Sequence, residues 1–179
     1  MRTSWRAGLL MLALALAAAG WSPGAISAEE NGAQAGIRFV HASPDGPAVD
    51  IFIDGKPVFR GVSFKQATPY QPLAAGSHEV ALYPAAAGGV GKPALRTTLV
   101  VEEGKKVTAA AVNKMAQLEL LMMVDEADAS AGKSKMRFIH AAMDVPKLDV
   151  AVKGGDVLIR NISYKGISTF VETSRHHLH

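Results

Sequence analysis

Residues 49–55 read VDIFIDG, a stretch in which Val49, Ile51 and Ile53 alternate with Asp50, Phe52 and Asp54. A period of two places the three aliphatic side chains on one face of an extended chain, which predicts a strand with that face buried. Asp54-Gly55 follows with the residue types that tolerate the positive φ angles of a tight hairpin. Outward from this point the rhythm repeats. The short apolar runs IRFVHA, VFRGVSF, HEVALYP, ALRTTLVVEE, VTAAAV and LELLMMV are separated by SPDGP, DGKP, AAGS, AAAGGVGKP and GKK. Turn signals about every 8–12 residues predict an all-β sandwich or barrel. Pro57, Pro69, Pro72, Pro84 and Pro93 remove backbone donors too often for long helices between 50 and 95. Residues 107–124 have the Ala, Leu and Met content of a helix, yet the EEGKK turn before them predicts two strands joined at Asn113-Lys114. The expectation is an antiparallel β-sandwich of Ig-like or transthyretin-like general architecture.

The preceding loop is rich in reactive side chains. Residues 38–50 hold Arg38, His41, Ser43, Asp45 and Asp50, and the chain supplies its own comparison. Arg38, Phe39, His41, Ala42, Asp45, Pro47 and Asp50 recur in order as Arg137, Phe138, His140, Ala141, Asp144, Pro146 and Asp149. After a one-residue slip at the hairpin, Gly55, Arg60, Ser63 and Lys65 recur as Gly155, Arg160, Ser163 and Lys165. A period of about 100 residues is far longer than a solenoid unit and indicates a duplicated domain.

The phrases RFVHASPDGPAVDIFIDGKPV, FKQATPYQPLAAGSHEVAL and KKVTAAAVNKMAQLELL resemble the bacterial family known as domain of unknown function 4397. The resemblance covers 37–124 as one whole copy and 136–170 as the opening of another. It implies a secreted or surface-located β-sandwich module, often in tandem, with no established catalytic residues. The second copy departs from the pattern after TFVETSRHHLH, where no turn leads into further strands. A half-set of strands cannot close a sandwich by itself, so residues 136–179 are expected to be a truncated repeat, by frameshift or by nature. Self-association through its exposed strands is a candidate partnership.

At the N-terminus, Arg2 and Arg6 precede the apolar run 8–20 and the small polar stretch WSPGAISA at 21–28. This is the layout of a secretory signal peptide, too short in its apolar part to span a membrane. Residues 1–28 are therefore expected to be removed, leaving a flexible lead-in at 29–36, a domain at 37–124, a linker at 125–135 and the partial repeat. The chain has 19 Lys and Arg against 16 Asp and Glu; losing Arg2 and Arg6 leaves 17 against 16. That near-neutral balance carries no concentrated basic face for nucleic acid. The absence of cysteine rules out disulfides and a lipidated thiol. The expected location is the periplasm or the cell exterior.

The side chains of this loop suit three roles. A nucleophilic triad of Ser43, His41 and Asp45 or Asp50 needs side chains in mutual reach, and the second copy has Ala142 in place of Ser43. A metal site from His41, Asp45 and Asp50, serving a hydrolase, is the better rival because all three recur. The favoured expectation is scaffolding: Asp45 closing its own turn, with His41 and Asp50 bonding backbone groups left open around Pro44 and Pro47. His41, Asp45 and Asp50 remain the candidate binding residues. GGVGKP at 88–93 fails as a phosphate loop, since Ala86 and Pro93 stand where glycine and Ser or Thr are needed. His176, His177 and His179 are read as an incidental tail, Asn161-Ile162-Ser163 as a chance glycosylation pattern, and Met115, Met122 and Met123 as core. The expected function is a non-enzymatic module without cofactor, binding or supporting an unknown surface polymer or protein.

Overall fold

The computed structural model describes residues 34–125 and 129–174. The expected signal peptide at 1–28 and the histidine tail at 176–179 lie outside the described residues. Residues 35–125 form two four-stranded sheets. One holds β1 (Ala35–His41), β4 (Gln71–Leu73), β7 (Lys106–Val112) and β8 (Glu119–Asp125), in the order β4-β1-β7-β8. The other holds β2 (Val49–Ile53), β3 (Lys56–Val62), β5 (Gly76–Pro84) and β6 (Leu95–Val101), in the order β3-β2-β5-β6. All pairs are antiparallel except β1 with β7, which run parallel. That exception follows from the path of the chain. The Glu102–Lys105 turn carries it from one sheet to the other, so β7 arrives beside β1 by a crossover and not by a hairpin.

The alternation read in VDIFIDG sets the inner face. Val49, Ile51 and Ile53 meet Ile37 and Phe39 of β1, Val80 and Leu82 of β5, Leu99 and Val101 of β6, and Val107, Ala109 and Ala111 of β7 in one buried cluster. Phe39 and Phe59 touch edge to face with ring centres 5.5 Å apart. Each fully buried Val, Leu, Ile or Phe contributes about 1.5–3 kcal/mol, so this cluster is the main source of stability. Residues 107–124 are two strands, as the EEGKK turn predicted, and a 3-10 turn at Met115–Gln117 joins them. The GGVGKP stretch lies in the connection from β5 to β6. There Gly89, at φ 85°, lies against Phe52, where an added Cβ would stand 2.3 Å from the ring. Only glycine satisfies both the angle and the space.

β7 (KVTAAAV) is buried on both faces. Val107, Ala109 and Ala111 face the sandwich core, whereas Ala110, Val112 and Met123 form a second cluster with Val40, Ala42, Leu121, Ile139 and Ala141. The alanines are small enough to admit a layer on each side, and the outer layer comes from the C-terminal part of the chain. That part forms β9 (Lys133–Met136), β10 (Leu148–Ala151), β11 (Val157–Ile162) and β12 (Val171–Ser174). β9 starts inside the stretch 125–135 expected as a linker, because residues 133–136 pair with β12.

The two ribbons β9-β12 and β10-β11 keep the registers of β1-β4 and β2-β3. Gly36 opposite Pro72 is answered by Lys135 opposite Glu172, Val49 opposite Val62 by Leu148 opposite Ile162, and Ile51 opposite Phe59 by Val150 opposite Ile159. The irregularities fall at equivalent places, and the bridge Val40–Ala67 is matched by Ile139–Ile167. Asn161, at φ 57°, occupies the left-handed position that Gly61 holds at φ 62°. Asparagine is one of the few side chains that tolerates this region, which gives Asn161 a backbone role apart from its sequon.

Candidate functional site

The loop after β1 is organised by the His41 ring, which is 1% exposed. Its Nε2 lies 3.0 Å from the Pro47 carbonyl oxygen, and its Nδ1 accepts from the Ser43 backbone N–H at 3.3 Å. A carbonyl can only accept and an amide N–H can only donate, so both bonds require the neutral tautomer with hydrogen on Nε2. Gly46 lies against the ring; a Cβ there would stand 2.9 Å from His41 Cε1. His41 has no free nitrogen with which to take a proton or hold a metal. Its contact with Ser43 runs through the backbone, and the Ser43 hydroxyl donates to Asp45 instead. This is why alanine can replace Ser43 in the second loop: Ala142 N–H makes the same 3.3 Å bond to His140 Nδ1, and His140 Nε2 lies 3.1 Å from the Pro146 oxygen.

The two carboxylates turn elsewhere. Asp45 was expected to close its own turn; its Oδ1 also accepts from the backbone N–H of Met115 at 2.9 Å, tying the loop to the connection between β7 and β8. Asp50 was expected to serve the proline loop. It faces β3 instead, accepting from Gly61 N–H at 2.8 Å and from Arg60 at 2.8 Å, because the bulge in the β2-β3 ribbon leaves the Gly61 donor without a ladder partner. His41, Asp45 and Asp50 are thus directed at three different protein groups. Among the described residues no three His, Asp or Glu side chains converge as a metal site requires.

What the two loops make together is a cleft of about 420 Å³. Val40, Ala42, Pro44 and Phe64 line one wall, and Ala141, Met143 and Val145 the other. Lys65 and Asp144 supply its charged groups. Phe64 and Val145 are 38% and 43% exposed. Phe64 stands edge-on to His41 with centres 6.3 Å apart, so the fixed imidazole serves as a wall that holds the phenyl ring. The comparison of repeated residues could not find this lining, because Met143 and Val145 stand where the first loop has Pro44 and Gly46.

Sequence reasoning also missed a charged pair. His78 Nδ1 lies 2.6 Å from Asp54, and its Nε2 lies 2.9 Å from the Ala74 carbonyl oxygen. Burial opposes charge on this imidazole, but the Asp54 bond, the Ala74 carbonyl and the Asp54 charge together raise its pKa above 6.5. The same bond to His78, with the Glu79 N–H, lowers the Asp54 carboxyl below 3.8. The available signal was the Asp-Gly hairpin beside an isolated histidine in GSHEV, and sequence spacing alone does not bring them together.

Among the described residues, no helix is long and apolar enough to cross a membrane. A family model described as "Domain of unknown function (DUF4397)" matches residues 35–151, from the start of β1 through the second histidine loop to the end of β10. No curated protein matches the chain.

Proposed function

The chain belongs to the DUF4397 family, and on that premise we propose that it is a non-enzymatic β-sandwich module, exported to the periplasm or cell surface, that binds a surface polymer or protein through the cleft between its two histidine loops. One observation carries this reading: the cleft is apolar on both walls, while the histidines beside it spend both ring nitrogens on the backbone. A site of that kind offers area and shape, with Lys65 and Asp144 to orient a ligand. The export layout of residues 1–28 supports action outside the cytoplasm.

The test uses anilinonaphthalene sulfonate as an apolar probe, with metal analysis alongside. Val145→Asp and Phe64→Ser should each abolish dye binding while the β signature is retained, and purified protein should carry no stoichiometric ion. Dye binding that survives both substitutions would remove the cleft from consideration. A stoichiometric ion lost on His41→Ala would instead favour a metal-dependent hydrolase.

A further inference from the structure

In the first sandwich β2 lies between β3 and β5, whereas β10, its counterpart, pairs with β11 alone among the described strands. The consequence is visible at equivalent carboxylates: the Asp50 side chain is 5% exposed and that of Asp149 is 51% exposed. Val150 and Leu148 are half-buried where Ile51 and Val49 are 1% exposed. The backbone groups at this edge can be identified. Asp54 N–H donates to Glu79 and the Ala48 carbonyl accepts from Ala85, so Ala48, Asp50, Phe52 and Asp54 present their backbone to β5. The counterparts Lys147, Asp149, Ala151 and Lys153 present theirs at the open edge of β10. Val152 N–H bonds Asp156 on the other side, as this alternation requires.

We propose that this edge is a docking surface for a second copy of the same chain, with β10 pairing antiparallel to its twin about a two-fold axis at Ala151. Two-fold symmetry supplies the antiparallel direction that β5 has against β2. Charge and paired length then select the register. A two-fold axis at Lys147, Asp149 or Lys153 would set that residue against its own like charge, and one at Val150 would set Lys147 against Lys153. One at Val152 would pair no charges, and one at Leu148 would pair Lys147 with Asp149 but engage only 147–149 of the 147–153 edge. An axis at Ala151 sets Asp149 opposite Lys153 of the twin and Lys153 opposite its Asp149, with Val150 against Val152 on the core side. The result is a four-stranded sheet, β11-β10-β10-β11, that covers the half-core and leaves opposite charges paired on the solvent side. This surface is independent of the cleft, and either can fail alone.

Sedimentation velocity and light scattering on the purified full chain provide the test. A concentration-dependent dimer is expected. Lys153→Asp or Asp149→Lys sets like charges opposite each other twice and should weaken the homodimer about tenfold or more. Mixing the two variants should restore it, because each then meets the opposite charge in the other chain. Ala151→Pro, which deletes the central donor, should abolish dimers in every combination, and circular dichroism should show all variants folded. The proposal is overturned if the chain stays monomeric, if association ignores Lys153→Asp, or if the mixture stays monomeric. Slow amide exchange at Asp149 and Ala151 in dilute monomer would also overturn it, since the edge would then already be covered.

Discussion

Arg38 and Arg137, equivalent residues of the two RF-x-HA segments, meet on one carboxylate. Asp125, the last residue of β8, lies 2.7 Å from an Arg137 nitrogen and 4.0 Å from one of Arg38, and it also accepts from Tyr70 at 2.6 Å and from Thr108. Arg38 and Arg137 lie over the rings of Tyr70 and Phe170, at 4.8 and 4.6 Å. Burial and the bond to Asp125 raise the Tyr70 hydroxyl above its ordinary pKa of 10.0, which keeps it a donor. Asp125 thereby fastens the C-terminal ribbons to the first sandwich, together with the Lys165–Glu119 ion pair.

Asp125→Ala should therefore act on both parts. With the Arg137 and Asp125 side chains only 13% and 14% exposed, removing the acid leaves a nearly buried guanidinium with the Val124 carbonyl but no counter-charge, and takes the acceptor from the Tyr70 and Thr108 hydroxyls. A loss of about 3–5 kcal/mol is expected by urea denaturation. Limited proteolysis should cut residues 133–174 faster than in the parent. An unchanged urea midpoint would show that the network is dispensable.

His41→Ala should cost about 1–3 kcal/mol, because the Pro47 carbonyl and Ser43 N–H lose their buried partner. Dye binding in the cleft should weaken along with the support for Phe64. A melting temperature equal to the parent's, together with abolished binding of a metal or ligand, would make His41 a functional group and not a brace.

The His78–Asp54 pair predicts a pH window. His78 has its pKa raised on folding, so its contribution is complete below 6.5 and fades as pH rises through the folded value. Asp54 has its pKa lowered, so its contribution is complete above 3.8 and is lost as pH falls through the folded value. Both act fully between those limits. Melting temperature against pH should show a maximum in that window, and His78→Gln should flatten it. Parallel curves for the two proteins would contradict the assignment.

Tyr164 has a buried hydroxyl without a hydrogen-bond partner, and Phe64 stands at the equivalent place. Tyr164→Phe should raise stability by about 1 kcal/mol, since it removes a desolvated group that gains nothing on folding. A loss of stability measured in urea would mean that the hydroxyl is bonded in solution.

The β class, the hairpin at Asp54-Gly55, the inner face of β2 and the paired histidine loops were legible in the sequence because each is a local pattern. Alternation, turn chemistry and repeated residues act over a few positions, and any fold that satisfies them must bury Val49, Ile51 and Ile53 together. The bracing role of His41 was legible as well, since the prolines nearby leave carbonyls that need a donor. The targets of Asp45 and Asp50 were not, because the Met115 and Gly61 amides are brought to them by strand pairing.

The sequence by itself determined that this chain alternates as strands and carries reactive side chains in a form that suits turns. Tertiary structure alone decided the parallel course of β7 beside β1, the covering of its outer alanine face by Ile139 and Ala141, and the cleft walled by Phe64 and Val145. The physical reason is range. Backbone geometry and side-chain alternation are set between near neighbours, whereas the cleft and the shared carboxylate of Asp125 depend on contacts between residues far apart in the chain, which form only when the core draws them together.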